Sequence, residues 1–335
     1  MSSSTPNRPD RARVATVLTA LVTVLLIGAA PAAAVPLPVA AVFTTGGQTS
    51  VVVDLSASTS PGRAVAAVTR DGATQAARLV PVVSDDLAVA LVVDTSAAGA
   101  ATLPAWLSAA ARFMLEAPGG TRAVVVADSA PAATVAGPHR GPLEIVRALD
   151  GIPARGERDT AAALTLAAGQ FPDTPAGRRV VVYYTGAPDA GGESAAALAA
   201  RFRSAGTLLV VVGSAAAGRY WAEAAAGTGG FFAPAGDPVV VPALDQVQTT
   251  LAGRYLVEFP APPDLPARVS VRVDTGDLTL TGDAVVTAPP GDPGGWPNLR
   301  MLVLGGLTAA GLALAAALLL LARRRPRRTP AARPA

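Results

Sequence analysis

The sequence predicts a Rossmann-like, doubly wound α/β domain flanked by β-rich segments, and three observations carry that expectation. The run LAVALVVD at 87–94 has no polar side chain before its aspartate, so it reads as a strand buried on both faces. Shorter apolar runs at 124–128, 180–185 and 208–212 repeat it, and segments with helical spacing separate them. Strands alternating with helices give a parallel sheet whose ligand-binding edge lies at the strand carboxyl ends, and Asp94 is placed there.

Composition limits the chemistry. The chain has 335 residues, no cysteine and one histidine, His139, so disulfides and metal sites built on the usual Cys and His ligands are excluded. All 27 residues of the Lys and Arg class are arginine. Three precede residue 14 and seven lie at or after Arg300, leaving 17 against 23 acids between them, a net charge of −6. A net-acidic body with basic ends is a membrane-topology pattern, and no nucleic-acid partner is expected.

Taken in order, residues 1–34 have the parts of a secretory signal: Arg8, Arg11 and Arg13, the apolar stretch VATVLTALVTVLLIGAA, then Ala32, Ala33 and Ala34. Cleavage is expected after Ala34, with an uncleaved anchor as the alternative. In the 35–86 segment, SVVVDLS, RAVAAVTRDG and TQAARLVPVV read as strands separated by turns at Ser60-Pro61-Gly62 and Asp71-Gly72. Residues 253–288 are β-rich again, with RVSVRVD and DLTLTGD alternating around Thr275-Gly276. Each piece alone is a marginal unit, so the two are expected to form one small β-sandwich.

Between them, 87–252 forms the α/β domain. Helices are expected over 103–117, 143–149, 161–171, 194–205, 219–226 and 240–251, and an edge strand over 131–137. A Pro/Gly linker follows at 289–300. Residues 301–322 include 21 without a charge from Leu302 to Ala322, about the ~20 needed to span a bilayer. Trp296 suits the outer interface, and RRRPRR within the 323–335 tail marks the cytoplasmic side.

The strand ending in Asp94-Thr95-Ser96, followed by an amphipathic helix in this β/α order, resembles the von Willebrand factor type A (VWA) domain. VVVYYTGAPDAGG at 180–192 is similar to the family's strand ending in Thr-Asp-Gly. The resemblance implies a loop site where hydroxyls and carboxylates hold Mg or Mn, the MIDAS motif, with an open position for a partner's carboxylate. This sequence departs from that pattern. Asp94 and Ser96 match, but Ala98 stands at the second serine and Gly186 at the third-loop aspartate. GERDTAAAL at 156–164 places Arg158 at the family's threonine, and a two-residue slip would supply Thr160 instead.

The motif is thus degenerate, no cofactor is expected, and Mg or Mn is the ion a complete site would take. Two readings stand for Arg158: it occupies the cation's place and pairs with Asp94, or it faces solvent while Asp94 caps the following turn. The candidate ligand-binding residues are Asp94, Ser96, Arg158 and Thr160. His139, in the turn-rich GPHRGP, reads as a surface residue, and no G-x-S-x-G elbow or phosphate loop occurs. Tyr220, Trp221, Phe231 and Phe232 form an aromatic cluster, read either as core or as a partner surface.

The resemblance implies a non-enzymatic bacterial membrane protein with its body outside the cell membrane, acting in protein–protein interaction or adhesion at the envelope. Its partner would be another envelope protein, and the alternative is a membrane-embedded assembly or chaperone-like component.

Overall fold

The structure is a computed structural model and describes residues 35–61, 64–236 and 242–288. The expected signal, linker, membrane-spanning helix and arginine-rich tail lie outside these residues. Among the described residues no helix is long and apolar enough to cross a membrane.

Five strands precede the α/β domain: β1 (Val35–Pro36), β2 (Val39–Thr45), β3 (Gln48–Asp54), β4 (Val65–Arg70) and β5 (Ala73–Pro81). The domain itself runs β6 (Ala88–Asp94), α1 (Leu103–Glu116), β7 (Arg122–Asp128), β8 (Ala133–Arg140), α2 (Leu143–Leu149), α3 (Thr160–Ala168), β9 (Arg179–Thr185), α4 (Ala195–Ser204), β10 (Thr207–Ser214), α5 (Gly218–Ala226), β11 (Phe231–Ala235) and α6 (Pro242–Ala252). Three strands close the described chain: β12 (Arg254–Pro260), β13 (Ala267–Asp274) and β14 (Thr279–Val286).

Every residue of β6 is buried, as its unbroken apolar run requires of a central strand. The six-stranded sheet has the order β11-β10-β9-β6-β7-β8, parallel except for β8, which pairs antiparallel with β7. Alternate side chains of β6 enter two cores. Val89, Leu91 and Val93 join α1, α2 and α6, while Ala88, Ala90 and Val92 join α3, α4 and α5. The chain leaves β6 toward β7 on one side and returns to β9 on the other, so strand order reverses between β6 and β9. That reversal opens a crevice at their carboxyl ends, where ligands of such sheets bind.

Strands from both sides of the α/β domain alternate in the second sheet, whose order is β1-β14-β13-β4-β5-β12-β3-β2. β5 is the corner: Ala73–Ala77 pairs with β4, and Arg78–Pro81 pairs with β12. Val51 and Val53 of β3 share a core with Val271 and Val273 of β13, so the sheet folds over on itself. Val52 and Leu256 turn the other way into the α/β core, which fastens the two sheets together. At the far end the Asp277 carboxylate accepts hydrogen bonds from Ser58 Oγ, Thr59 N and Oγ1, and Thr275 Oγ1. These bonds tie the loop after β3 to the β13–β14 hairpin and hold the carboxyl well below the usual range.

The strand β2 carries no clear signal in the sequence, because Pro36 and Pro38 precede it and its side chains are mostly small. One local expectation is corrected. His139 lies on strand β8 opposite Ala123, not in a turn, and it is exposed. The surrounding Gly and Pro read as turn residues, but an edge strand tolerates Pro138 because its outward side needs no donor.

Candidate functional site

Asp94 ends β6 at the crevice and is 0% exposed. Its two oxygens do different work. Oδ1 accepts from Ser96 N at 3.2 Å and Ser96 Oγ at 2.6 Å, which turns the chain sharply at the strand end. Ser96 Oγ in turn accepts from Gly99 N at 3.2 Å and caps a single 3-10 turn over Ala97–Gly99. A Cβ on Gly99 would lie 2.7 Å from Asp94 Oδ1, so only glycine lets this turn close over the carboxylate.

Oδ2 accepts from Arg158 Nε at 2.8 Å, an ion pair between a buried carboxylate and a guanidinium 28% exposed. Gly186 N also approaches Oδ2, at 3.4 Å. Arg158 therefore pairs with Asp94 through Oδ2 instead of facing solvent, while Oδ1 of the same carboxylate shapes the following turn. A Cβ on Gly186 would sit 3.4 Å from Arg158 Nη2 and 3.8 Å from Asp94 Oδ2, so an aspartate side chain there would meet the guanidinium.

The loop that carries Arg158 is held by main-chain bonds. Ala97 N donates to Gly156 O at 2.9 Å, Arg155 N to Thr95 O at 2.8 Å, and Ala130 N to Glu157 O at 2.7 Å. These bonds set the arginine without using its side chain. Ala98 is exposed and offers no side-chain oxygen.

Thr160 is drawn to a different carboxylate. Its Oγ1 donates to Asp128 Oδ2 at 2.8 Å, and Tyr183 OH donates to the same oxygen at 2.5 Å. Asp159 N donates to Oδ1 at 2.9 Å. Asp128 pairs with Asp94 across the β6–β7 register and is 0% exposed. Burial raises its carboxyl above the usual range, against the lowering effect of its three donors. Burial and the Asp128 charge push the Tyr183 phenol far up, so it stays a donor.

Sequence reasoning passed over Asp128 and Tyr183. The signal was present in the chain: the strand end VVVADS repeats the pattern of LVVDTS, and a tyrosine inside an apolar strand needs a partner for its hydroxyl.

The aromatic cluster belongs mainly to the core. Trp221 is 0% exposed and its Nε1 donates to Ala187 O at 2.8 Å, while Tyr220 OH donates to Glu193 O at 2.8 Å. These two side chains, 4.9 Å apart edge to face, fix both ends of the loop after β9 and so steady the crevice wall. Asp189 in that loop accepts from Gly191 N and is half-buried.

Residues 89–188 match the family model for the von Willebrand factor type A domain. Over those residues the α/β domain is similar to the von Willebrand factor type A domain. No curated protein sequence matches the chain. Among solved structures, proximal thread matrix protein 1 from the mussel byssus, described with a zinc-occupied MIDAS motif, is 19% identical. That alignment covers 55% of this chain and 50% of the other at a TM-score of 0.43, so this chain spans about half of the mussel protein.

A von Willebrand factor type A protein from Catenulispora acidiphila is 14% identical over 73% of this chain and 75% of its own, at a TM-score of 0.44. An aerotolerance-related membrane protein from Bacteroides fragilis is 16% identical over 49% of this chain and 98% of its own, at 0.39. Among the described residues no group of three or more His, Cys, Asp or Glu side chains is placed to hold a metal ion.

Proposed function

We propose that this VWA-like domain is a protein–protein interaction or adhesion module of a bacterial cell envelope, working through its strand-end loops without a resident metal. The observation that carries this reading is the 2.8 Å contact between Arg158 Nε and the buried Asp94, with Gly186 leaving room for the guanidinium. The residues present do not fit a divalent cation. Both Asp94 oxygens are engaged, Ala98 and Gly186 supply no ligand, and Thr160 is committed to Asp128. A fixed positive charge stands where a cation would be needed, and it keeps the loops ordered at any metal concentration.

No nucleophile and base stand in a working arrangement at this crevice, which favours binding over catalysis. The signal-like start, the apolar run at 301–322 and the basic tail support a body held outside the membrane with its carboxyl terminus inside. The partner is another envelope protein, recruited by the loops.

Capture of partners from an envelope extract tests this. Full-length chain should retain the same partner with EDTA or with Mg present, and removal of residues 296–335 should leave capture intact. Loss of capture on EDTA treatment would overturn metal independence. Loss on truncation alone would favour an assembly component working through its membrane segment.

A further inference from the structure

We propose that a row of arginines at the amino-terminal edge of the six-stranded sheet, at the opposite end from the strand-end loops, binds a phosphate group. Ala88 of β6 pairs with Arg122 of β7 on one side and with Arg179 of β9 on the other, and Arg122 pairs with Arg140 of β8. Directly paired residues share a face, so the three arginines lie on the face that Ala88 turns to α3 and α4. Two strand spacings put the Arg122 and Arg179 backbones about 10 Å apart, a span that two arginine side chains can close around one small anion.

Arg179 is the decisive residue. It is half-buried, and burial lowers its pKa from the usual value. Its guanidinium has neither a hydrogen bond nor an ion pair among the described residues, and its Nε is shielded from solvent. A cation taken out of water without a partner is destabilising, and an oxyanion accepting two parallel hydrogen bonds from it offsets that penalty.

Gly206 gives the side chain its room, since a Cβ there would lie 2.9 Å from Arg179 Nη2. Arg122 is directed to the turn before β9. Its Nη2 donates to Thr174 Oγ1 and its Cζ lies 5.3 Å from the centre of the Phe171 ring, while no carboxylate among the described residues pairs with it.

The charges at this end of the sheet do not cancel. Arg122, Arg140, Arg179 and Arg203 stand against Asp85 and Asp173, an excess of two positive charges. The neighbouring charges are balanced: Arg78 and Arg178 by Asp86 and Glu258, Arg112 by Glu116, and Arg147 by Glu144. An excess of two matches the dianion of inorganic phosphate or a phosphate monoester better than a monocarboxylate, and guanidinium forks fit its oxygens.

Calorimetric titration of the full-length chain with inorganic phosphate at constant ionic strength tests the site, with acetate as control. Phosphate should bind saturably in the millimolar range or tighter, and acetate about tenfold more weakly or worse. Arg179→Met should abolish phosphate binding and leave the unfolding midpoint in phosphate-free buffer unchanged or raised, because it removes an unpaired half-buried cation. Arg179→Lys keeps the charge without the fork and should weaken phosphate about tenfold. Short-chain phosphatidic acid is the second probe: equal affinity assigns the site to phosphate itself, and tighter binding assigns it to a lipid headgroup. No saturable phosphate binding, equal binding of acetate, or unchanged affinity in either Arg179 variant would each overturn the proposal. A lowered midpoint of Arg179→Met without phosphate would also overturn it.

Discussion

Replacing Arg158 with alanine lowers the unfolding free energy by about 3 kcal/mol at neutral pH, because it leaves a fully buried carboxylate without its counter-charge. The partial exposure of the arginine places the loss at the low end for a broken buried pair. The same change opens the space beside Asp94. Adding Gly186→Asp to it sets a second carboxylate at the end of β9, since a Cβ there lies 3.8 Å from Asp94 Oδ2.

The double variant should then be stabilised by Mg or Mn, with a midpoint that rises with cation concentration. Chemical denaturation of wild type, Arg158→Ala and the double variant reads both effects. An Arg158→Ala protein as stable as wild type would mean that the pair contributes nothing to the fold.

Asp128→Ala has an effect of similar size. It leaves the buried Tyr183 and Thr160 hydroxyls with only each other and takes the acceptor from the half-buried Asp159 amide, a loss of about 3 kcal/mol. Tyr183→Phe removes one donor and should cost about 1 kcal/mol.

The pH dependence has a definite sign. The folded carboxyl of Asp128 is raised by burial, so between the usual carboxylate pKa and that raised value the folded state binds more protons than the unfolded. The group's contribution to stability is greatest at low pH and declines as pH rises through the raised value. The stability of wild type relative to Asp128→Asn should therefore fall on going from about pH 4 to pH 7, the range above an ordinary carboxylate pKa. A difference that grows with pH would contradict burial as the governing influence on this carboxyl.

Much of the α/β architecture could be read from particular residues. An apolar run stopped by Asp94 can only be a central strand facing a loop edge, and the helical spacing of Leu103, Trp106, Ala110 and Phe113 places α1 on the sheet. The arginine at 158 was legible as a candidate because a threonine was expected there, yet spacing alone could not say where its side chain would lie. That depended on Gly186, which lies 28 positions further along the chain and is brought beside Arg158 only by the fold.

Asp128 was less legible for a different reason. Its partners are a tyrosine from β9 and a threonine that opens α3, and no local pattern joins them. Trp221 and Tyr220 looked as much like a partner surface as a core, since sequence gives aromatic content but not which carbonyls their polar atoms reach.

The central claim is that Arg158 replaces a metal at this crevice, and thermal unfolding of the full-length chain with and without excess Mg or Mn tests it most directly. A cation that binds the native state must raise the midpoint in proportion to its occupancy. The account predicts no rise for the wild-type chain. A rise that disappears in Asp94→Ala would contradict it, because it would show a working metal site despite Arg158, Ala98 and Gly186.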